Sequence, residues 1–272
     1  MTKKLENLGF IGAGRMATAL ATGAVTAGLV DPAAVVASDP SQEALRAFTG
    51  AVAGAKVSDE NAATLAGSRV VFLSVKPQKM DAALAEVSKG VTPDHLLISI
   101  AAGVRLEQLA AALPAGTRLV RVMPNTPCLV GMGASCYCLG PDATAADAET
   151  VEGLLASVGK AYAVEEAAMD AVTGLSGSGP AFVYSMVEAL AQGGVDAGLE
   201  PELALALATQ TTRGAAEMLF ATGYSPAELR EQVMSPGGTT VAGIQTLTQR
   251  MGADAFAAAV ASAAARSQEL GQ

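Results

Sequence analysis

The sequence contains no tryptophan, one histidine and three cysteines among its 272 residues. Cys128, Cys136 and Cys138 lie close together, but their spacing with His95 matches no metal-site pattern, so we expect no metal. A catalytic Cys-His pair is the less favoured alternative, because the neighbours of Cys136 and Cys138 are typical of a buried strand. His95 follows Pro93, and we expect it to be a solvated turn residue. The sequence therefore offers no conventional histidine acid or base.

Positive charge is also scarce, since 17 Lys and Arg stand against 26 Asp and Glu, for a net charge of -9. No basic patch occurs, which argues against a nucleic-acid partner. No apolar run approaches the roughly 20 residues that span a bilayer, so we expect no membrane association. The first residues lead directly into a predicted strand without a signal-peptide core. These features together predict a cytoplasmic protein.

Strand and helix patterns alternate in the first part of the chain. Apolar runs predict strands at Leu8–Ile11, Val35–Ala37, Val70–Val75, Leu96–Ile100, Leu119–Val122, Ala134–Leu139 and Ala161–Val164. Helical patterns lie at Met16–Ala27, Ser41–Phe48, Glu60–Ala66, Gln78–Val87, Leu106–Leu113 and Ala145–Ser157. Continuous apolar strands separated by helices predict an α/β fold, with a mainly parallel sheet covered on both faces.

After about Glu166 the strand signal fades and helices dominate. Pro180, Pro201, Pro226 and Pro236 each lie near a predicted helix start, where the missing N–H costs nothing. We therefore predict a dinucleotide-binding domain over 1-165 and an all-α domain over 166-272. The apolar faces of these helices exceed the needs of one small bundle, which predicts a homo-oligomer.

A glycine-rich turn, Gly12-Ala13-Gly14, follows the first predicted strand and opens a helix. The first glycine permits a tight turn and the second lets the backbone approach a pyrophosphate. This context predicts a Rossmann-type dinucleotide site, and a turn that serves packing alone is the minor alternative.

An acidic residue, Asp39, ends the second predicted strand, where it would receive the adenosine ribose hydroxyls. A carboxylate there repels the extra phosphate of NADP and so favours NAD(H). Arg46 could turn back toward that phosphate, so Asp39 predicts a preference for NAD(H) and not an exclusion of NADP(H). In the alternative interpretation, Asp39 only opens the turn with Pro40.

Other segments reach the same carboxyl edge of the predicted sheet. Ser74-Val75-Lys76-Pro77 ends a buried strand, and proline turns the chain across the edge where ligands bind. Lys76 is placed near the cofactor, although a solvated lysine explains it nearly as well. Asn61, Ala101-Ala102-Gly103 and Met123–Pro127 reach the same edge, and the last of these is predicted to shape the nicotinamide pocket.

Two loop-to-helix starts stand out in the helical part. Within Leu175–Ala181, Ser178 is a candidate cap for a helix that begins at Pro180, and the flanking glycines predict close approach to a ligand or a packed helix. The second, Ser235-Pro236-Gly237-Gly238-Thr239-Thr240, precedes an apolar helical pattern. Its free backbone N–H groups and partial positive charge suit a small carboxylate. An ordinary helix cap is the alternative.

With these motifs in this order, the chain resembles the pyrroline-5-carboxylate reductase family along almost its whole length. The resemblance implies a Rossmann-like N-terminal domain and a helical C-terminal domain that dimerises, with dimers commonly assembling into decamers. It implies reduction of 1-pyrroline-5-carboxylate, a cyclic imine, to L-proline by NADPH or NADH, the last step of proline biosynthesis.

The resemblance also implies roles for individual residues. Ser235, Gly238 and Thr239 match the residues that hold the substrate carboxylate. Thr240 matches the catalytic contact to the ring nitrogen. Asp39 departs from relatives with a small hydroxyl residue there, which puts NADPH use in doubt. The residues that match the cofactor site are Ile11, Gly12, Ala13, Gly14, Arg15, Met16, Asp39, Asn61, Ser74, Val75, Lys76, Pro77, Ala101, Ala102 and Glu166.

Two rival functions share some of these features. A reductase of another cyclic imine or a β-hydroxy acid would also carry the Rossmann turn. A hydroxy-acid dehydrogenase, however, is expected to place a lysine or other base in its helical domain, and residues 166–240 contain no lysine. A non-catalytic nucleotide-binding protein would bind cofactor without turnover, and the intact carboxylate site argues against it.

Overall fold

A computed structural model describes residues 4–271. They form two compact units, one comprising residues 4–178 with 263–271 and the other Gly179–Ser262. These units divide the chain after Ser178 and after Ser262. The predicted boundary between residues 165 and 166 separates domains by function, not by compactness, and it stays a prediction.

The first unit is built on one eight-stranded sheet with the order β3-β2-β1-β4-β5-β6-β7-β8. All neighbouring strands run parallel except β6 and β7, which are antiparallel. This confirms the predicted Rossmann-like, mainly parallel sheet. The strands are β1 Leu8–Ile11, β2 Val35–Ser38, β3 Lys56–Ser58, β4 Val70–Leu73, β5 Leu96–Ser99, β6 Arg118–Met123, β7 Gly133–Leu139 and β8 Gly159–Ala163.

Seven α-helices of the first unit follow or separate these strands. They are α1 Arg15–Thr26, α2 Gln42–Ala51, α3 Asn61–Ala66, α4 Met80–Val87, α5 Leu106–Ala111, α6 Ala145–Ala156 and α7 Met169–Val172. Short 3-10 turns lie at Pro32–Ala34, Pro77–Lys79, Thr126–Val130 and Glu166–Ala168, and one π-turn lies at Thr173–Gly177.

Hydrophobic cores lie on both sides of the sheet because successive strand residues point to opposite faces. On β1, Phe10 belongs to one buried cluster and Ile11 to the other. Phe10 stacks on Phe72 of β4 with ring centroids 5.1 Å apart, and lies 5.8 Å from Phe48 of α2. Covering both faces leaves only the strand ends open to ligands.

Two sequence-based expectations for the first unit were incomplete or wrong. β3 was not predicted, because Lys56-Val57-Ser58 is short and largely exposed and carries no apolar run. His95 is buried, not solvated. Its Nδ1 lies 3.0 Å from the N–H of Thr92 and its Nε2 lies 3.1 Å from the carbonyl oxygen of Leu65. The histidine therefore links the turn before β5 to α3, which contains Leu65.

The second unit is helical, which confirms the predicted all-α region. It contains α8 Gly179–Asp196, α9 Pro201–Thr222, α10 Pro226–Gln232, α11 Thr239–Gln249 and the part of α12 (Gly252–Leu270) that ends at Ser262. Gly194 lets α8 approach α9, since an added Cβ would lie 3.2 Å from the Cβ of Ala204.

Large apolar side chains on the second unit remain uncovered in the single chain. Leu203, Leu205 and Leu207 on α9 are each 50% exposed, and Phe220 is 72% exposed. Apolar faces of this extent mark surfaces that bind another protein surface. The second unit therefore carries apolar surface that is suited to association.

The last turns of α12 pack within the first unit. The hydroxyl of Ser267 donates to a carboxylate oxygen of Asp170 at 2.6 Å. An added Cβ at Gly103, in the loop after β5, would lie 3.4 Å from the Cβ of Leu270. The C-terminal end of the chain thus supports a loop at the carboxyl edge of the sheet.

Candidate dinucleotide and carboxylate sites

The glycine turn lies at the point where the strand order of the sheet reverses. β1 pairs with β2 on one side and with β4 on the other, so the loops after β1 and β4 meet at the carboxyl edge. Gly12 has φ +97°, and an added Cβ would lie 2.7 Å from the carbonyl oxygen of Ser74. Only glycine fits here, because both the backbone conformation and the space exclude a side chain.

Gly14 differs from Gly12 because the space in front of it is open. An added Cβ at Gly14 would meet no described atom within 4 Å. Gly14 is also the N-cap of α1, and among residues 4–271 no side chain caps this helix and no acidic residue lies in its first turn. An open glycine at an uncapped helix start is suited to a phosphate.

Ser74, which ends the neighbouring strand, adds a free hydroxyl at this edge. Its N–H donates to the carbonyl oxygen of Ile11 at 2.7 Å, which fixes the chain beside the glycine turn. Its Oγ is buried and has no hydrogen-bond partner within residues 4–271. A buried hydroxyl without a partner is costly unless a ligand satisfies it. The residues at this edge therefore fit a dinucleotide.

Asp39, directly after β2, uses both carboxylate oxygens to hold backbone. Oδ2 accepts from the N–H of Ala13 in the glycine turn at 2.9 Å. Oδ1 accepts from the N–H of Ser41 at 2.8 Å, which forms the turn that precedes α2. The turn-forming role of Asp39 is thus present in the structure. Its role at the adenosine ribose stays a prediction.

Asn61 and Lys76 lie at the starts of the segments that follow β3 and β4. The Asn61 amide is held at both ends, since Oδ1 accepts from the Ser38 hydroxyl at 2.8 Å and Nδ2 donates to Glu86 at 2.7 Å. Lys76 is exposed and precedes the turn that begins at Pro77. The structure thus fixes the side chain of Asn61, and the cofactor roles of both residues stay predictions.

The remaining predicted cofactor residues are distributed around the same edge. Val75 packs against the core that contains Leu73, and Ala101 is buried after β5. Arg15 and Met16 open α1, with Arg15 exposed. The sheet therefore brings the loops after β1, β4 and β5 to one edge, whereas individual contacts to a nucleotide stay predictions.

Glu166 lies at the start of a 3-10 turn and makes two contacts with one oxygen. Its Oε1 accepts from the N–H of Leu106, the first residue of α5, at 2.7 Å. The same oxygen accepts from Nη1 of Arg121 at 3.0 Å. Glu166 therefore anchors the end of the loop after β5, the loop that also contains Ala101 and Ala102.

Arg121 was missed by the sequence reasoning. It lies in the middle of β6, its side chain is 5% exposed, and it pairs with Glu166. A single arginine in the apolar run Leu119–Val122 was the available signal, because buried arginine is rare unless it is paired.

Close packing explains part of the glycine-rich segment Leu175–Ala181. Gly177 packs so closely on the methyl group of Met123 that an added Cβ would overlap it. The amide of Asn125 donates to the carbonyl oxygen of Ser176 at 3.1 Å. The predicted cap at Ser178 is wrong, because Ser178 has helical φ and ψ and the π-turn leads directly into α8.

The Ser235–Thr240 segment, called the carboxylate cradle below, lies in the second unit and opens α11 as predicted. Gly237 has φ +71°, and the N–H of Gly238 donates to the carbonyl oxygen of Ser235 at 2.9 Å. Gly238 is the N-cap, and an added Cβ there would overlap the Ser235 hydroxyl. Thr240 lies half-buried in the first turn.

The start of α10 provides an internal comparison for the carboxylate cradle. There the Ser225 hydroxyl and the Glu228 carboxylate form a capping box, and the hydrogen bonds from Ser225 lower the pKa of Glu228. In the described chain, α11 has neither a side-chain cap nor an acidic residue in its first turn. Its first N–H groups are therefore available to an anion.

The cysteines carry no signature of a reactive site. Burial raises the pKa of Cys136, and it raises the pKa of Cys138 to about 11, with Glu166 adding to the effect. Within residues 4–271, no cluster of three or more His, Cys, Asp or Glu side chains is arranged to hold a metal ion. In the same part of the chain, no helix is long and apolar enough to cross a membrane.

These features define a Rossmann-type oxidoreductase with a separate helical region. The family model for pyrroline-5-carboxylate reductase dimerisation matches residues 166–270, and the model for NADP oxidoreductase, coenzyme F420-dependent, matches residues 7–103. The chain is 44% identical over 267 residues to the pyrroline-5-carboxylate reductase of Methanosarcina acetivorans, covering 98% of both proteins. The chain belongs to the pyrroline-5-carboxylate reductase family.

Solved structures of relatives agree with this assignment along the whole chain. The crystal structure of Plasmodium falciparum pyrroline carboxylate reductase with NADP bound is 30% identical, with a TM-score of 0.89 and coverage of 99% of this chain and 100% of that one. The Coxiella burnetii pyrroline-5-carboxylate reductase is 32% identical, with a TM-score of 0.92 and the same coverage.

Proposed function

We propose that this chain is a reductase that converts 1-pyrroline-5-carboxylate to L-proline with NADPH or NADH, the final step of proline biosynthesis. The observation that carries the proposal is the carboxylate cradle, an open glycine helix start in a region of the chain that matches the family's dimerisation model. Together with the fit of the sheet edge to a dinucleotide, it supports this function over nucleotide binding alone.

The substrate's chemistry explains why the chain needs no histidine acid or base. Protonation of the imine nitrogen makes its carbon strongly electrophilic, and reduction then adds a hydride to that carbon. A bound NAD(P)H supplies the hydride. The protein's task is mainly to position the reacting groups, and positioning alone can lower a barrier substantially.

The carboxylate cradle provides the substrate contacts in this proposal. Backbone N–H groups around Gly238 and Thr239, with the Ser235 hydroxyl, hold the substrate carboxylate at the positive end of α11. The hydroxyl of Thr240, in the first turn of the same helix, donates to or accepts from the ring nitrogen. A carboxylate and a nitrogen held from one helix turn would fix the orientation of the ring.

The first unit provides the cofactor contacts. Gly12, Ala13 and Gly14 receive the pyrophosphate at the start of α1, and the Ser74 hydroxyl is the free donor beside them. Glu166 acts near the nicotinamide end through the loop it anchors after β5. The other residues assigned to cofactor binding are Ile11, Arg15, Met16, Asp39, Asn61, Val75, Lys76, Pro77, Ala101 and Ala102.

We extend the proposal to organisation and location. Residues 1–165 bind the dinucleotide, and residues 166–272 dimerise and bind substrate. The exposed leucines of α9 support self-association, and the dimers are proposed to assemble further into decamers. Three free cysteines are consistent with a cytoplasmic enzyme.

A turnover assay tests the proposal. The purified chain is mixed with NADH or NADPH and 1-pyrroline-5-carboxylate, and oxidation of the cofactor is followed by absorbance. Parallel reactions contain a six-membered cyclic imine carboxylate or a β-hydroxy acid with the oxidised cofactor. We expect rapid turnover of the five-membered substrate alone. Tight cofactor binding without turnover would support a nucleotide-binding protein, and faster reaction of another substrate would support the rival enzymes.

A further inference from the structure

The carboxylate at the end of β2 has a fixed position. Its two oxygens accept from the N–H groups of Ala13 at 2.9 Å and Ser41 at 2.8 Å, so the Asp39 side chain bridges the glycine turn and the turn before α2. A carboxylate has about four acceptor sites, so two remain for further donors. Ribose 2′- and 3′-hydroxyls are donors that match such a pair.

The surroundings of Asp39 in the chain are poor in positive charge. No Lys or Arg occurs between Arg15 and Arg46, whereas Glu43 lies in the first turn of α2. Arg15 and Arg46 are both exposed. A 2′-phosphate, which carries a charge of about −1.5 to −2 at neutral pH, would therefore meet a carboxylate with few cations beside it.

Two backbone donors at the start of α2 are already engaged. The N–H of Ser41 donates to Asp39, and the N–H of Ala44 donates to the Ser41 hydroxyl at 3.2 Å. The start of α2 thus has a side-chain cap, in contrast to the uncapped starts of α1 and α11. A phosphate that used the N–H of Ser41 or of Ala44 would have to displace one of these hydrogen bonds.

We infer that this chain binds and uses NADH in preference to NADPH, and that Asp39 determines this choice. The inference rests on the proposed function, because it names the electron donor of the same reaction. The Asp39 carboxylate accepts hydrogen bonds from the adenosine ribose hydroxyls of NADH. The same carboxylate repels the 2′-phosphate of NADPH, and the positions of Ala13 and Ser41 prevent it from turning away.

Direct binding to the full chain tests the inference without relying on turnover. Isothermal titration calorimetry with NADH and with NADPH is expected to give a dissociation constant at least about tenfold lower for NADH, as the loss of a charge-assisted hydrogen bond implies. In Asp39→Ser, the NADH advantage is expected to disappear, with a gain in NADPH affinity. Asp39→Asn keeps an acceptor for the Ala13 N–H and removes the charge, so it is expected to shift the ratio in the same direction.

Asp31→Ser is the matched control. Asp31 also accepts a backbone N–H, that of Ala33 at 2.9 Å, but it lies at the amino end of β2. This variant removes the same charge and the same kind of hydrogen bond, and we expect an unchanged NADH-to-NADPH ratio. Thermal unfolding of each variant confirms that it is folded before binding is compared.

The outcomes separate the inference from the proposed function. Equal or tighter NADPH binding by the unmodified chain overturns the inference, as does an Asp31→Ser effect equal to that of Asp39→Ser. Faster reduction of 1-pyrroline-5-carboxylate with NADPH than with NADH also overturns it and leaves the proposed function intact. Tighter NADH binding without turnover on any imine would leave the binding preference assigned to Asp39 standing and would remove both the use of NADH and the proposed function.

Discussion

The guanidinium of Arg121 lies 3.0 Å from the carboxylate of Glu166 and is almost fully buried in β6. The same Glu166 oxygen accepts the first N–H of α5 at 2.7 Å. One ion pair therefore joins the middle of the sheet, the loop after β5 and the start of the segment that matches the family's dimerisation model. The pair stabilises the edge where the dinucleotide is proposed to bind.

Removing the Arg121 side chain tests this contact. Arg121→Met is expected to destabilise the chain by about 2 kcal/mol, because Glu166 loses its partner while remaining half-buried. Urea unfolding at a fixed protein concentration measures the change. Arg266→Met is the control, since Arg266 pairs with Glu269 at a largely exposed site and its loss is expected to cost at most about 0.5 kcal/mol. Equal effects of both variants would contradict a structural role for the buried pair.

The two glycines of the cofactor turn are expected to respond differently to alanine. Gly12→Ala is expected to cost about 2–4 kcal/mol of stability, because φ is +97° and the added Cβ meets the Ser74 carbonyl. Gly14→Ala is expected to cost at most about 1 kcal/mol of stability, because alanine is a poorer N-cap than glycine, and to weaken dinucleotide binding by at least about tenfold, or 1.4 kcal/mol, because the Cβ fills the proposed phosphate position. Thermal unfolding and calorimetric titration separate the two effects.

Gly50→Ala is a control for these variants. Gly50 lies within α2, and an added Cβ meets nothing within 4 Å. Alanine there is expected to stabilise the chain slightly, by up to about 1 kcal/mol, without changing dinucleotide affinity. Unchanged affinity in Gly14→Ala would rule out the proposed pyrophosphate position.

Cys138 is expected to react slowly with alkylating agents. Its pKa is raised to about 11 from 9.0, so only about one thiol in a thousand is ionised at pH 8. Labelling with iodoacetamide, measured by mass spectrometry of peptides, is expected to accelerate about tenfold per pH unit up to that pKa. Labelling at pH 8 as fast as that of an unfolded control would contradict the burial of this thiol.

The same thiol contributes a pH dependence of stability with a definite sign. Because the folded pKa lies above the unfolded value, the unfolded chain ionises first as pH rises. The contribution of Cys138 is therefore fully present below pH 9.0 and is lost as pH rises toward 11. Cys138→Ser is expected to reduce this loss, which urea unfolding across that window measures.

Thr240 is expected to affect turnover more than cofactor binding. Thr240→Ala is expected to lower kcat roughly 10–1000-fold if the hydroxyl assists in the transition state. Thr246→Ala is the control, because Thr246 lies on the same helix and its hydroxyl bonds the carbonyl oxygen of Ala242 within that helix. Unchanged kinetics in Thr240→Ala would remove this residue from the mechanism.

The parallel sheet was predictable because its strands are buried on both faces and read as continuous apolar runs. The predicted Leu8–Ile11 strand is identical to β1, and Gly12 was predicted to permit the tight turn that its φ of +97° reflects. β3 was not predicted, because Lys56-Val57-Ser58 is short and has no apolar run. Its pairing with β2 stabilises the strand conformation. The local sequence does not indicate that pairing.

Contacts between distant segments explain the other differences. The environment of His95 depends on the Leu65 carbonyl, thirty residues earlier. The Arg121–Glu166 pair joins residues forty-five positions apart. An arginine in an apolar run indicates that an acidic partner exists, but it does not indicate which residue that partner is. Ser178 matched a cap pattern, but Thr173–Gly177 forms a π-turn that continues into α8. Short motifs were therefore reliable where backbone conformation is local, as at Gly12 and Gly238.

The most direct test of the proposed reaction follows the transferred hydrogen. The purified chain is incubated with 1-pyrroline-5-carboxylate and reduced cofactor that carries deuterium at its transferable position. The proposed reaction is expected to yield L-proline with one deuterium on the ring carbon next to nitrogen that bears no carboxylate, in amounts equal to the oxidised cofactor. Oxidation of the cofactor without labelled proline, or no oxidation at all, would contradict it.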